Sequence, residues 1–210
     1  MGHFLPMMVI TALAQAMPKK VIATVGSPLW CINLSGVKRD GKSFTNLFFM
    51  NGGFGAAHDR DGANVLSWPS NISSTPVEMI EQLSPLRVKH RRLRTGTGGR
   101  GQYRGGTGQE IAFENRGETP ITVAFLAERT RAETAAAGIA GGEPGTPGEV
   151  LINGARVDPK VQHVVAAGGT MELKTPGGGG YGMPASRDTA LIDADRLDGY
   201  VSYGSETGHG

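Results

Sequence analysis

The stretch HDRDG, residues 58–62, gathers the side chains of this chain that are best suited to chemistry. His58, Asp59 and Asp61 follow a flexible turn, Asn51-Gly52-Gly53. Imidazole and carboxylate groups in one loop can hold a divalent ion or orient a substrate. Polar loops of this composition are also often only solvated, so the residue types leave both interpretations open.

The stretch TPGGGGYGMP, residues 175–184, contains four consecutive glycines: Gly177, Gly178, Gly179 and Gly180. Ordering four glycines costs much backbone entropy. An ordered tetraglycine therefore predicts that another group approaches the backbone closely. That group could be a ligand or another strand, and both possibilities stay open.

A Gly-x-Gly-x-x-Gly match occurs at Gly96, Gly98 and Gly101. A dinucleotide site needs this motif between a buried strand and a helix, whereas here a basic strand precedes it and QYRGGTG follows. RNA binding by Arg104-Gly105-Gly106 is disfavoured because such segments are usually repeated. The pattern predicts a glycine-built turn after a solvated basic strand.

The composition excludes several classes of protein. The 210 residues include 21 basic and 19 acidic side chains, so charge alone does not predict a nucleic-acid binder. No run of about 18 apolar residues is present, and the N-terminal segment lacks the positive region of a secretory signal. The single cysteine, Cys31, excludes an internal disulfide. We expect a cytoplasmic protein that binds neither nucleic acid nor a membrane.

Short elements must position these loops. Residues 7–17 predict an apolar helix that Pro18 ends. A second helix is expected after Thr75, with Thr75 as its cap, Pro76 at its first position and Glu78 completing a capping box. Residues 86–94 alternate as a half-buried strand with a basic outer face.

Glycine-containing turns join the remaining strands. Hairpins are predicted around Asp40-Gly41, around Asn153-Gly154 and around Gly168-Gly169. Two further strands are joined at residues 115–119. The sequence thus predicts an α+β, β-rich fold of antiparallel hairpins with one or two short helices and glycine-rich loops. Residues 1–188 form its domain, and residues 189–210 a polar, flexible tail.

Three separated glycine patterns occur in a recognisable order. They are STPVEMIEQLSPLRVKHRRLRTGTGGRGQYRGGTGQE, then GIAGGEPGTPGEVLINGARV, then GGTMELKTPGGGGYGMP. This order resembles the C-terminal portion of hydantoinase B/oxoprolinase family proteins, as do the earlier segments GHFLPMMVITALAQAMP and FFMNGGFGAAHDRDG. The resemblance reaches about residue 188 and covers only part of a family protein.

The resemblance implies a role in an ATP-dependent, hetero-oligomeric enzyme. Such a B-type subunit acts with a hydantoinase A-type subunit, which binds the ATP, to open a cyclic amide such as 5-oxoproline or a hydantoin. Related carboxylases activate a ketone. In those carboxylases the divalent metal ligands belong to the N-terminal part of the B-type subunit, which is absent here, so the resemblance predicts no cofactor on this chain. The expected partners are the A-type subunit, the missing half and a small-molecule substrate.

The resemblance also nominates the loops nearest the substrate. The candidates are Asn51, Gly52, Gly53, His58, Asp59 and the tetraglycine, with catalytic residues unknown. Backbone N–H groups of such loops could stabilise an oxyanion. In the family the Gly-x-Gly-x-x-Gly stretch lies between two strands and carries no nucleotide, while the basic strand could contact a partner. A truncated or split subunit that only docks on its partners is the alternative hypothesis.

Overall fold

The structure is a computed structural model and describes residues 2–202. Within these residues, nine strands form two antiparallel sheets, and three α-helices lie outside them. The strands are β1 (Trp30–Val37), β2 (Ser43–Met50), β3 (Leu86–Leu93), β4 (Gln109–Asn115), β5 (Ile121–Leu126), β6 (Glu149–Ile152), β7 (Ala155–Arg156), β8 (His163–Val165) and β9 (Thr170–Lys174). The predicted α+β, β-rich class is confirmed.

Sheet 1 has four strands in the order β2-β1-β5-β8. Its β1–β2 hairpin turns at Asp40-Gly41, as the sequence predicts, and Gly41 has φ +79°. A residue without Cβ adopts this left-handed conformation at little cost. The turn is closed by a hydrogen bond from the Lys38 N–H to the Lys42 carbonyl.

Sheet 2 has five strands in the order β3-β4-β9-β6-β7. The predicted hairpin at Asn153-Gly154 joins β6 to β7, and both turn residues have positive φ, 50° and 79°. Strand β3 forms one edge of the sheet and contains an irregularity between Val88 and His90. The N–H of Val88 donates to the Glu81 carboxylate, which partly caps this edge.

One hydrophobic core joins the two sheets. Alternate residues of β1, namely Trp30, Ile32 and Leu34, are buried on one face, as the two-residue period of a strand requires. They belong to the same cluster as Phe113 of β4 and Leu173 of β9. The sheets therefore share a single apolar interior, and the glycine-rich loops extend from it.

The hairpin predicted around Gly168-Gly169 is wrong. Strand β8 pairs with β5 in sheet 1, whereas β9 pairs with β4 and β6 in sheet 2. Gly168 has φ +74°, so a tight turn does occur there. The turn carries the chain from one sheet to the other because both strands bury one face in the shared core.

The helices differ in detail from the sequence predictions. Helix α1 spans Leu5–Leu13 and so begins before residue 7, because Pro6 fits the first turn, where its missing N–H is not needed. Helix α2 spans Val77–Leu83 with Pro76 at its N-cap and without the predicted side-chain cap from Thr75. Ile80 of α2 is buried in the core, and α2 packs on β3 of sheet 2 and β2 of sheet 1.

A third helix occupies part of the predicted tail. Helix α3 spans Thr189–Leu197, and its N-cap Asp188 accepts a hydrogen bond from the Ala190 N–H. Residues 203–210 of the predicted tail lie outside the described residues, and the domain boundary at residue 188 stays a prediction. Between residues 2 and 202, no helix has both the length and the apolar character needed to cross a membrane.

Candidate functional site

The tetraglycine lies at the centre of an unusual backbone arrangement. The N–H groups of residues 177–180 donate in turn to the carbonyls of Thr146, Gly106, Thr24 and Glu143. Successive hydrogen bonds thus reach four different segments, and none of them is internal to residues 177–180. We call residues 177–180 and the segments around them (23–27, 51–57, 97–101, 104–108 and 136–146) the glycine core.

Close approach of backbones explains why these positions are glycine. A Cβ on Gly178 would overlap the Phe54 carbonyl, and one on Gly177 would overlap the Thr97 carbonyl. All four glycines are buried. At Gly177 and Gly178, the group that approaches the tetraglycine is therefore backbone of the same chain.

The Gly-x-Gly-x-x-Gly motif is part of this arrangement. A Cβ on Gly98 would overlap the Gly105 carbonyl, and one on Gly101 would lie 2.6 Å from the Tyr181 carbonyl oxygen. Protein backbone fills the space beside Gly98 and Gly101, whereas no atom of residues 2–202 lies within 4 Å of a Cβ at Gly96, which has φ +73°. The predicted glycine-built turn after the basic strand agrees with these contacts and with the positive φ of Gly96.

The turn Asn51-Gly52-Gly53 is also part of the glycine core. The Gly53 N–H donates to the Pro176 carbonyl at 2.9 Å, next to the tetraglycine. The Asn51 carbonyl accepts hydrogen bonds from Gln109 and Thr175, and its buried side-chain amide donates to the Ile72 carbonyl at 3.3 Å. The structure thus brings these candidates against residues 177–180.

His58 and Asp59 lie at the exposed rim of the glycine core. Their side chains are 40% and 51% exposed, and His58 Nδ1 lies 3.8 Å from Asp59 Oδ1. The His58 ring lies 6.5 Å from the ring of Tyr181, the residue that directly follows the tetraglycine in sequence. The His58 and Asp59 side chains are both accessible to solvent, and Asp59 also pairs with Arg60 at 3.1 Å, whereas the glycine N–H groups are engaged within the chain.

Asp61 differs from its neighbours because it is held by two arginines. Arg187 donates from both terminal nitrogens to the two Asp61 oxygens at 2.8 Å, and the Arg104 N–H donates at 2.6 Å. Burial alone would raise the pKa of Asp61, but the hydrogen bonds and charges of Arg187 and Arg104 together outweigh it and hold the pKa below its usual range.

The same arginines bind helix α3. Asp195 lies 2.6 Å from Arg187 and 3.2 Å from Arg104, and all three side chains are nearly buried. The Arg104 guanidinium also stacks over the Tyr200 ring at 5.0 Å. A cavity of about 390 Å³ lies between α3 and the glycine core, with Arg100 and Arg187 among its lining residues. The sequence does not reveal this cluster, since its members are far apart in the chain.

Several arginines of the basic strand are engaged by contacts within the chain. Arg91 donates to Gln109 and to the Thr75 carbonyl, and Arg94 donates to two carbonyls, those of Pro147 and Thr175. Arg92 pairs with Glu110 at 2.6 Å. Of these contacts only the Arg92–Glu110 pair compensates a charge, whereas the others fix the directions of Arg91 and Arg94. The contact with a partner stays a prediction.

Comparisons with known proteins converge on one family. The family model described as hydantoinase B/oxoprolinase matches residues 1–184. The B-type subunit of a D-/L-hydantoinase from Pseudomonas sp. (strain NS671) is 31% identical over 205 residues, which are 91% of this chain and 33% of that relative.

Solved structures have the same fold. The ATP-dependent caprolactamase from Pseudomonas jessenii matches with a TM-score of 0.73 and 26% identity, over 91% of this chain and 35% of that chain. A nucleotide-free acetone carboxylase matches with a TM-score of 0.69 and 19% identity, over 90% of this chain and 30% of that chain. The chain thus spans about a third of the length of these relatives.

Proposed function

Because the chain belongs to the hydantoinase B/oxoprolinase family, we propose that it is the C-terminal part of the B-type subunit of an ATP-dependent cyclic-amide hydrolase. The family match over residues 1–184 carries the proposal. The hydantoinase and caprolactamase relatives support it, since hydantoins and caprolactam are both cyclic amides.

The proposed partners are an ATP-binding A-type subunit and the remaining, N-terminal portion of a B-type subunit. Two observations support a hetero-oligomer. The chain spans only 33% of the hydantoinase relative, and helix α1 exposes a row of large apolar side chains, with Leu5 62%, Met8 66% and Val9 53% exposed. Exposed apolar patches of this kind are typical of interaction surfaces. The proposed location is the cytoplasm, where the free Cys31 would stay reduced.

In the proposed assembly the partner subunit binds ATP, and the glycine core provides a rigid support. The glycine core holds Asn51, Gly52 and Gly53 against residues 177–180 and presents His58 and Asp59 at its rim. In this proposal His58 and Asp59 face the substrate from the rim. An oxyanion role for the glycine N–H groups would require their present hydrogen bonds to open, so the side chains are the stronger candidates.

The proposal is tested by reconstitution. The chain is mixed with its candidate A-type subunit and with the N-terminal portion, and ATP hydrolysis is measured with 5-oxoproline, hydantoins and caprolactam. We expect one cyclic amide to stimulate ATP hydrolysis only when this chain is present. His58→Ala and Asp59→Ala should lower the stimulated rate about tenfold or more, while His163→Ala on β8 serves as a matched control. No binding and no stimulation by any cyclic amide would refute the proposal.

A docking subunit without catalysis is the second candidate. Its support is that the glycine N–H groups are already occupied by carbonyls of this chain. In that case the partners would assemble with the chain, but stimulated ATP hydrolysis would be the same without it. The acetone carboxylase match, at 19% identity, shows the fold alone. Bicarbonate-dependent ATP hydrolysis with a ketone would favour a carboxylase instead.

A further inference from the structure

Charged side chains on the outer face of sheet 2 are aligned across four strands. Arg92 of β3 is opposite Glu110 of β4, Glu110 is opposite Lys174 of β9, and Lys174 is opposite Glu149 of β6. The charges alternate in sign along this row, so each carboxylate has a cationic neighbour. Cross-strand ion pairs are sufficient to explain the composition of this row.

The next row along the same face has a different composition. His90 is opposite Ala112, and Ala112 is opposite Glu172. Because the alanine side chain is a single methyl group, the space above it between His90 and Glu172 is not filled by their own row. Glu110 reaches into this space, with His90 Nε2 2.8 Å from Glu110 Oε1.

The three side chains meet at ligand atoms. His90 Nε2 also lies 3.9 Å from Glu172 Oε1, and one ligand atom from each of the three residues lies within 4.8 Å of the other two. An imidazole and two carboxylates form a donor set that zinc accepts at about 2.0–2.2 Å per ligand. Two carboxylates also balance the charge of a divalent ion. Small side-chain movements would bring all three atoms to these distances.

The neighbouring lysine and arginine act on this group in opposite ways. Lys174 Nζ lies 3.6 Å from Glu172 Oε2, the oxygen that does not face His90, and so orients the carboxylate. Such outer partners commonly fix the direction of metal ligands. Arg92 contacts Glu110 Oε1 at 2.6 Å and would compete with an ion, but its side chain is 65% exposed and can turn into solvent.

We propose that His90, Glu110 and Glu172 form a binding site for a divalent transition-metal ion such as zinc. Lys174 is a positioning residue, and Arg92 is a competitor that the ion displaces. His90 and Glu172 are 37% and 28% exposed, which leaves the outer side of the site open to water or to a further ligand. The ion would tie edge strand β3 to the interior strands β4 and β9. The sequence predicts no metal on this chain, because histidine spacing does not reveal a site built across strands.

The test is a titration of the full 210-residue chain, purified without an affinity tag, with Zn²⁺ in competition with a chromophoric chelator. A parallel titration uses Co²⁺ and its visible absorption. We expect one ion per chain at this site. His90→Ala and Glu172→Gln should each weaken binding at least tenfold, and Lys174→Met should weaken it less. Arg92→Ala should strengthen binding, since it frees Glu110.

Matched controls separate this site from adventitious binding. Glu149→Gln removes a carboxylate from the same face, and His163→Ala removes a histidine from sheet 1; neither should change Zn²⁺ affinity. Circular dichroism confirms that each variant is folded. Failure of the native chain to bind Zn²⁺, or binding that survives both His90→Ala and Glu172→Gln, would overturn the proposal and leave the face as a set of ion pairs.

Discussion

Individual glycines determine whether the centre of this molecule can pack. The tetraglycine N–H groups reach four different segments, and the carbonyl of Phe54 occupies the place that a side chain at Gly178 would need. The sequence correctly predicts that something approaches this backbone, because four ordered glycines are costly. It could not identify the approaching group, since Phe54 and Gly178 are far apart in the chain.

Gly178→Ala is expected to destabilise the chain severely. The added methyl group meets backbone, which cannot rotate aside, so the loss should be about 3 kcal/mol or more. Gly41→Ala is the matched control. No atom lies within 4 Å of a Cβ at Gly41, so only its positive φ of +79° is strained, at about 1–2 kcal/mol. Urea unfolding measures both, and equal losses would contradict the steric account.

Asp61 should give the stability a pH dependence of definite sign. Its pKa is lower in the folded chain than the unfolded value of about 3.9. Ionised Asp61 therefore favours the folded state above that value, and the contribution is lost as the pH falls through the folded pKa. Asp61→Asn should lower the free energy of unfolding by about 1–3 kcal/mol near neutral pH.

The difference in free energy of unfolding between the native chain and the Asp61→Asn variant should shrink as the pH falls below about 4. Urea unfolding from pH 7 to pH 3 measures it. Asp59→Asn is the control two positions earlier in the same loop, where the side chain is half exposed and the difference should be small throughout. A constant difference for Asp61→Asn across this range would show that the carboxylate charge is not responsible.

At the scale of elements, local sequence signals predict a hairpin correctly where the partner strand follows directly after the turn. The turns at Asp40-Gly41 and Asn153-Gly154 were predictable because their φ angles are set by the turn residues themselves. The pairing of β8 and β9 was not, because the choice of sheet depends on distant strands. Helix α3 was also missed. Its mean polarity suggested a tail, whereas its anchor, Asp195, depends on Arg104 and Arg187 far away in the chain.

Asp195→Ala should release helix α3 from the glycine core. Without this carboxylate, the nearly buried guanidinium groups of Arg104 and Arg187 lose an ion-pair partner. Removing one partner of a buried ion pair commonly costs about 3–5 kcal/mol of stability. Asp193→Ala on the same helix is the control, since its side chain is 74% exposed and pairs only with the nearby Arg196 among the contacts described. Hydrogen exchange of residues 189–197 should quicken strongly in Asp195→Ala alone. Equal exchange in both variants would contradict the anchoring role.

At the scale of the whole molecule, the fold is a two-sheet scaffold with a polyglycine interior. The two sheets share one apolar core, and the glycine core extends it with backbone in place of side chains. The chain spans about a third of its hydantoinase and caprolactamase relatives, and helix α1 exposes apolar side chains. Both features agree with the proposed assembly with partner subunits. The substrate itself could not be predicted from the sequence, because lactams, hydantoins and ketones require similar pockets.

The proposed function is tested most directly by measuring the ring-opened product. The chain, its candidate A-type subunit and the N-terminal portion are incubated with ATP and each cyclic amide, and the open-chain acid is quantified by mass spectrometry. The account predicts ATP-dependent product from at least one cyclic amide in the complete mixture and none when this chain is left out. Equal product without the chain would contradict its membership in the catalytic assembly.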